Sequence, residues 1–184
     1  MSKVKDSLRR PCAAGFTLIE MLTVIVIVAV LTGLALANFS DTVLRWRVRS
    51  AAEELIATLY YARNESIRRG GGVIVGRLDA DSQCPLLGGR GDWSCGWRVY
   101  RPANAPEWPE LLQNTRLPAG LALKQTSSLA TLTMDGWGQL NGAGMAGFVL
   151  SAQGRSDPRL SAVVCVSSGG RIRMKMGVTS CSAA

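Results

Sequence analysis

The sequence predicts an α+β fold: one long N-terminal α-helix packed on an antiparallel β-sheet head. Three observations carry this reading. A helical pattern runs from Phe16 to Arg69 with no proline inside it and stops at Gly70-Gly71-Gly72. Beyond it, short β-like runs recur between turn signals, and one helix followed by many strands favours antiparallel sheet over alternating βαβ units. The chain has 184 residues, 47% apolar and 18% charged. That is enough for one domain plus an appendage, and it is neither a disordered nor a collagen-like composition.

The first element is the apolar run Phe16–Ala37, in which Glu20 is the single charge. As a helix it is about 33 Å long, close to the hydrocarbon thickness of a bilayer. Lys3, Lys5, Arg9 and Arg10 against Asp6 give residues 1–15 a net +3. A basic leader of this kind holds the N-terminus on the cytoplasmic side. The small residues Ala13, Ala14 and Gly15 come before the apolar run, so cleavage after Gly15 would remove the charges and keep the hydrophobic helix. A carboxylate five residues into such a segment is costly. Either Glu20 sits at headgroup level, or it pairs with a positive group such as a new Phe16 amine on a neighbouring subunit.

From Asp41 to Arg69, Leu44, Val48, Ala51, Leu55, Leu59 and Ala62 mark one face at a 3.6 period. The first half of the helix is therefore apolar all round and the second half amphipathic, and the second half needs a partner surface. Seven runs supply it: Val73–Leu78, Gly96–Arg101, Leu121–Lys124, Leu129–Met134, Phe148–Ser151, Leu160–Val166 and Arg171–Met176. The separators at 84–92, 102–109, 135–147 and 154–158 are rich in Gly, Pro, Asp and Asn. Trp46 reads as a membrane–water interface marker. Trp93, Trp97, Trp108 and Trp137 read as core or loop anchors rather than stacking platforms.

Cys12 lies in the leader and leaves with it. Cys84, Cys95, Cys165 and Cys181 remain, an even number that reads as two disulfides in an oxidising compartment. Three pairings are open; Cys84–Cys95 and Cys165–Cys181 are favoured because both are local. The second would tie the C-terminal tail to a strand, contributing about 3 kcal/mol in the chain-entropy model.

The chain carries 21 Lys+Arg against 13 Asp+Glu, a net +8 that favours acidic partners. From Leu111 onward the bases are Arg116, Lys124, Arg155, Arg159, Arg171, Arg173 and Lys175, against Asp135 and Asp157. In Gly169–Gly177, cations alternate with apolar residues, so in a strand Arg171, Arg173 and Lys175 share one face about 6.6 Å apart. Such a row suits a phosphate backbone; it also suits a charged edge strand that resists aggregation. Arg155 and Arg159 could extend the patch.

Gly15-Phe16-Thr17-Leu18-Ile19-Glu20, between a basic leader and an apolar helix, resembles the processing site of type IV pilins and type II secretion pseudopilins. The resemblance implies a prepilin peptidase that cuts after Gly15 and methylates the Phe16 amine, with Glu20 used in filament assembly. It implies a 1–15 cleaved leader, a 16–40 transmembrane and assembly helix, and a 41–184 periplasmic head made of amphipathic helix 41–69 and a β-rich region 73–184. It also implies a chain that begins in the inner membrane and passes to a periplasmic or cell-surface pilus, with other pilin subunits as partners. The stretch from Ala51 to Gly70, AAEELIATLYYARNESIRRG, adds a likeness to minor pilins of the FimT/FimU and GspH type. In FimT-like members a Gly-Arg-x-Arg motif near the C-terminus binds DNA in natural transformation. Gly170-Arg171-Ile172-Arg173 matches it, between the two cysteines of the tail staple, and Lys175 extends the row. Contact would be to the phosphate backbone without sequence preference. The alternative is a minor pilin or GspH-like pseudopilin that contacts only other subunits.

No enzyme, cofactor or metal site is read. The absence of histidine removes Ser-His-Asp and Cys-His catalysis and the usual zinc sites. Gly70-Gly71-Gly72 lacks the GK[ST] ending of a phosphate loop and follows a helix. Asp79 with Asp81, and Glu107 with Glu110, read as loop acids without evident partners. Co-expression with a prepilin peptidase should shorten the chain to begin at methylated Phe16, as read by intact mass; a precursor that stays uncut contradicts the processing assignment.

Overall fold

A computed structural model of the chain describes residues 15–84, 88–102, 109–141 and 144–183, leaving aside the side chains at 34–38 and 183. The expected leader, Cys12, Glu107 and Trp108 lie outside the described residues. One α-helix, α1, spans Leu18–Arg69. By contact density the chain divides into two compact units, residues 1–40 and 41–184.

In the first unit, Thr17 caps α1. Its Oγ1 accepts the Glu20 amide at 3.3 Å and its carbonyl accepts the Met21 amide at 3.2 Å. A threonine followed three residues later by glutamate is a helix-start signature. The hydroxyls of Thr23 and Thr32 donate back to the carbonyls of Glu20 and Val28, so neither needs water. Phe16, Leu18, Ile19 and the apolar residues up to Leu31 are all exposed. Side chains this apolar on every face require cover from lipid or protein. Among the described residues, no helix is by itself long and apolar enough to cross a membrane. The spanning expectation for 16–40 rests on the sequence, which carries the apolar run through residues 34–38.

The second unit is built on the amphipathic stripe. Val48, Ala51, Ala52, Leu55, Thr58, Leu59, Ala62, Glu65 and Ser66 are buried, the alternating three- and four-residue steps of one helix face. They share a single core with two antiparallel sheets. Strands β1 (Gly71–Arg77), β2 (Trp97–Arg101), β3 (Glu110–Thr115), β5 (Thr131–Asp135) and β6 (Leu140–Asn141) form a sheet in the order β3-β2-β1-β5-β6. Strands β4 (Leu121–Gln125), β7 (Met145–Ala152), β8 (Ser161–Ser167) and β9 (Ile172–Met176) form the second, in the order β4-β7-β8-β9. The α+β class expected from the sequence is the one observed. β3 and β6 were not expected. β3 is an edge strand without period-2 alternation, and β6 is only two residues long, inside a stretch that reads as a turn.

Buried polar groups join helix to sheet. Trp97 Nε1 donates to Thr58 Oγ1 at 3.1 Å, and Ser66 Oγ lies 2.9 and 2.7 Å from the carbonyls of Met134 and Asp135. Trp93 donates to the Leu129 carbonyl at 2.9 Å and meets Phe148 edge-on at 5.0 Å between ring centroids. The anchoring role expected of Trp93 and Trp97 is met in the core; Trp137 is instead 80% exposed. The loop acids do have partners. Asp79 pairs with Arg98, Asp81 with Arg116, and Glu110 with Arg69, which also holds Glu65. The pairs of Asp79, Asp81 and Glu110 join residues 19 or more apart in sequence, a separation that local pattern does not reveal.

The Arg116 guanidinium and neighbouring amides hold the Asp81 carboxyl at about 2, below its ordinary 3.8. Hydrogen bonding to Arg68 and then Arg69 lowers Glu65 in the same direction, against desolvation. Both groups titrate lower folded than unfolded. Their contribution is complete above the ordinary carboxylate range and is lost as the pH falls through the folded values. Thermal melting should therefore drop between about pH 4 and pH 2, and Asp81→Asn should flatten that drop. A melting curve with the same acid dependence in both proteins contradicts the pairing.

Candidate nucleic-acid interface

β9 is the edge strand of the second sheet. It pairs with β8 in the register Cys165↔Arg173 and Val163↔Lys175. Ile172, Met174 and Met176 are half-buried against the core, while Arg171, Arg173 and Lys175 are exposed. The expected alternation is thus realised residue for residue. No carboxylate among the described residues pairs with Arg171 or Arg173. By contrast Arg49, Arg68, Arg69, Arg98, Arg116 and Arg155 all have acidic partners.

The chain reaches β9 through a tight turn. The Gly170 amide donates to the Ser167 carbonyl at 2.9 Å, and the Ser167 amide to the Arg171 carbonyl at 2.9 Å. Gly170 has φ +76°, and a β-carbon there would collide with the Gly138 carbonyl oxygen. Only glycine tolerates both conditions. From α1, Arg63 donates Nη1 to the Gly170 carbonyl at 2.8 Å. Gly170 therefore acts by shaping the backbone that presents Arg171 and Arg173. The 107-residue reach of Arg63 to Gly170 has no local signature in the sequence.

Both favoured disulfides are present, Cys84–Cys95 and Cys165–Cys181. The second lies on the same outer sheet face as the cations. A β-carbon at Gly147 would sit 2.9 Å from Cys181 Sγ, so this glycine leaves room for the staple to cross β7. Met145, Cys165, Ser167, Arg171, Arg173 and Cys181 line a hollow of about 330 Å³. Two guanidinium groups beside an uncharged sulfur wall can receive a phosphate.

Arg155 does not extend the patch: its Nη1 is 2.8 Å from Asp41 Oδ1. Arg159 stands where β8 begins, at the Lys175 end of the row. Gly15, Phe16 and Glu20 are exposed in the first unit, and Glu20 makes no side-chain ion pair among the described residues. No group of residues among those described could hold a metal ion.

A capped N-terminal helix leading to a cystine-tied, two-sheet antiparallel head is the architecture of minor pilins and pseudopilins. The chain belongs to the GspH family: the model of the type II transport protein GspH matches residues 51–170, well over half of its length. The prokaryotic N-terminal methylation motif matches residues 10–36. The type IV minor pilin FimU of Pseudomonas aeruginosa, solved in two crystal forms, is 25% identical. It aligns with TM-scores of 0.54 and 0.57, over 70% and 72% of this chain and 93% and 91% of FimU. The minor pseudopilin EpsH of the Vibrio cholerae Type 2 Secretion System shares the fold at 15% identity, TM-score 0.51, over 71% of this chain and 97% of EpsH. No curated protein matches the chain by sequence. These relatives are filament subunits rather than enzymes, and the chain is a minor pilin or pseudopilin of a pilus or secretion filament.

Gly170→Ala should destabilise the protein by more than about 1 kcal/mol, read as a lower urea midpoint with an unchanged slope. An unchanged midpoint would contradict the collision between Gly170 and Gly138.

Proposed function

We propose that this subunit is a minor type IV pilin that binds DNA through Arg171 and Arg173 during uptake for natural transformation. Prepilin peptidase cuts it after Gly15 and methylates Phe16. Residues 16–40 hold it in the inner membrane until Glu20 pairs with a neighbouring pilin subunit and the chain enters the pilus. The observation that carries the DNA half is the exposed guanidinium pair at the start of the β9 edge strand, Arg171 just before it and Arg173 on it, with no acidic partner among the described residues. Lys175 lengthens the row on the same face, and Gly170 sets the turn. The likeness to FimU, a type IV minor pilin, supports the pilus assignment.

Two or three phosphate contacts give weak, salt-sensitive binding without base readout. Several copies in one filament would act together through effective concentration. The GspH family match favours a second reading, a pseudopilin of a type II system in which the same row meets only neighbouring subunits.

The test is a titration of the full chain in non-ionic detergent with a 30-base-pair duplex across a salt series. Arg171→Gln/Arg173→Gln should weaken binding at least about tenfold and reduce the log–log salt slope by about two. An unchanged affinity in the double variant contradicts the site. No salt-dependent binding by the unaltered protein at low ionic strength contradicts the DNA half and favours the second reading.

A further inference from the structure

An exposed tryptophan stands beside the cation row. Trp137 is 80% exposed, although the same head buries Trp93 and Trp97 completely. It occupies the turn between β5 and β6, whose backbone is fixed by hydrogen bonds. The Gly138 amide donates to the Asp135 carbonyl at 3.0 Å, closing the turn. Asp135 Oδ1 accepts the amides of Trp137 and Gln139 at 2.9 and 2.8 Å. The acid of this turn is therefore engaged with backbone donors. Gly138, at φ +72°, lies against Arg63 and Ile67 of α1.

The same Gly138 carbonyl abuts Gly170. Trp137 and Arg171 are each one residue from that backbone contact, so their Cα atoms lie no more than about 14 Å apart. That is within the reach of a few nucleotides of one strand. Arg63, half-buried between the two turns, adds positive charge at the join. An exposed aromatic face near a track of cations is the arrangement that proteins use to grip single strands. The cations follow the backbone and the ring stacks on a base. Paired bases in a duplex offer no free face to such a ring.

We infer that Trp137, Arg171 and Arg173 form a composite site for single-stranded DNA, with the indole stacked on one base and the guanidinium groups on flanking phosphates. This rests on the DNA-binding reading above and adds a preference for unpaired strands. Because the indole is exposed and its turn is held by backbone and Asp135, Trp137→Ala leaves the fold intact.

The full chain in non-ionic detergent is titrated with labelled dT20 and with a 20-base-pair duplex. Trp137→Ala should weaken dT20 binding about 5- to 100-fold and leave duplex binding within twofold. Trp137→Phe should retain most dT20 affinity but lose the indole fluorescence quenching that dT20 causes in the unaltered protein. The melting temperatures of both variants are compared to verify folding. If Trp137→Ala binds dT20 as the unaltered protein does, or loses dT20 and duplex alike, the stacking site is overturned while the arginine site stands. If the unaltered protein binds neither polymer at low salt, the DNA-binding reading falls and this inference with it.

Discussion

The close approach of two backbones, at Gly138 and Gly170, governs what the head can present. Gly138 belongs to the turn between β5 and β6 of one sheet, and Gly170 to the turn between β8 and β9 of the other. Arg63 of α1 donates across the join to Gly170. Helix, first sheet and second sheet thus meet at one point. A side chain on Gly170 would force the two turns apart. From this junction β9 starts with its register set, its apolar residues inward and its cations outward. The Cys165–Cys181 bridge then returns the tail over the outer face of β8.

The geometry separates two kinds of charge. Several arginines of the head pair with acids: Arg116 with Asp81, Arg98 with Asp79, Arg155 with Asp41, and Arg69 with Glu65 and Glu110. The exposed pairs among these add little stability each and mainly fix segment positions, whereas Glu65 is buried. Arg171 and Arg173 have no such partner among the described residues and remain available to an external anion. A basic net charge alone would not distinguish the two sets. The distinction comes from where the acids among the described residues fall.

Much of this was legible in the sequence. Helix α1 was, because its stripe is regular and glycine ends it. The outward row of β9 was, because strict alternation fixes which face each residue takes. The local cysteine pairs were also favoured by spacing. What escaped was long-range. β3 and β6 are recognised by their neighbours rather than by their own pattern. The partners of Asp79, Asp81 and Glu110 come from distant segments. Trp137 reads as an anchor because nothing in a turn sequence tells a buried indole from an exposed one. Its exposure follows from the Asp135 turn and the packing of Gly138, both of which require the tertiary fold.

The central claim is that the outward face of β9, with the turn beside it, is where the filament subunit meets nucleic acid. Amide hydrogen exchange of the full chain in detergent, with and without bound DNA, tests it most directly. The account predicts slowed exchange over residues 168–176 and 136–140, and little change elsewhere in the head. Slowing confined to other segments, with these two unaffected at saturating DNA, would contradict it.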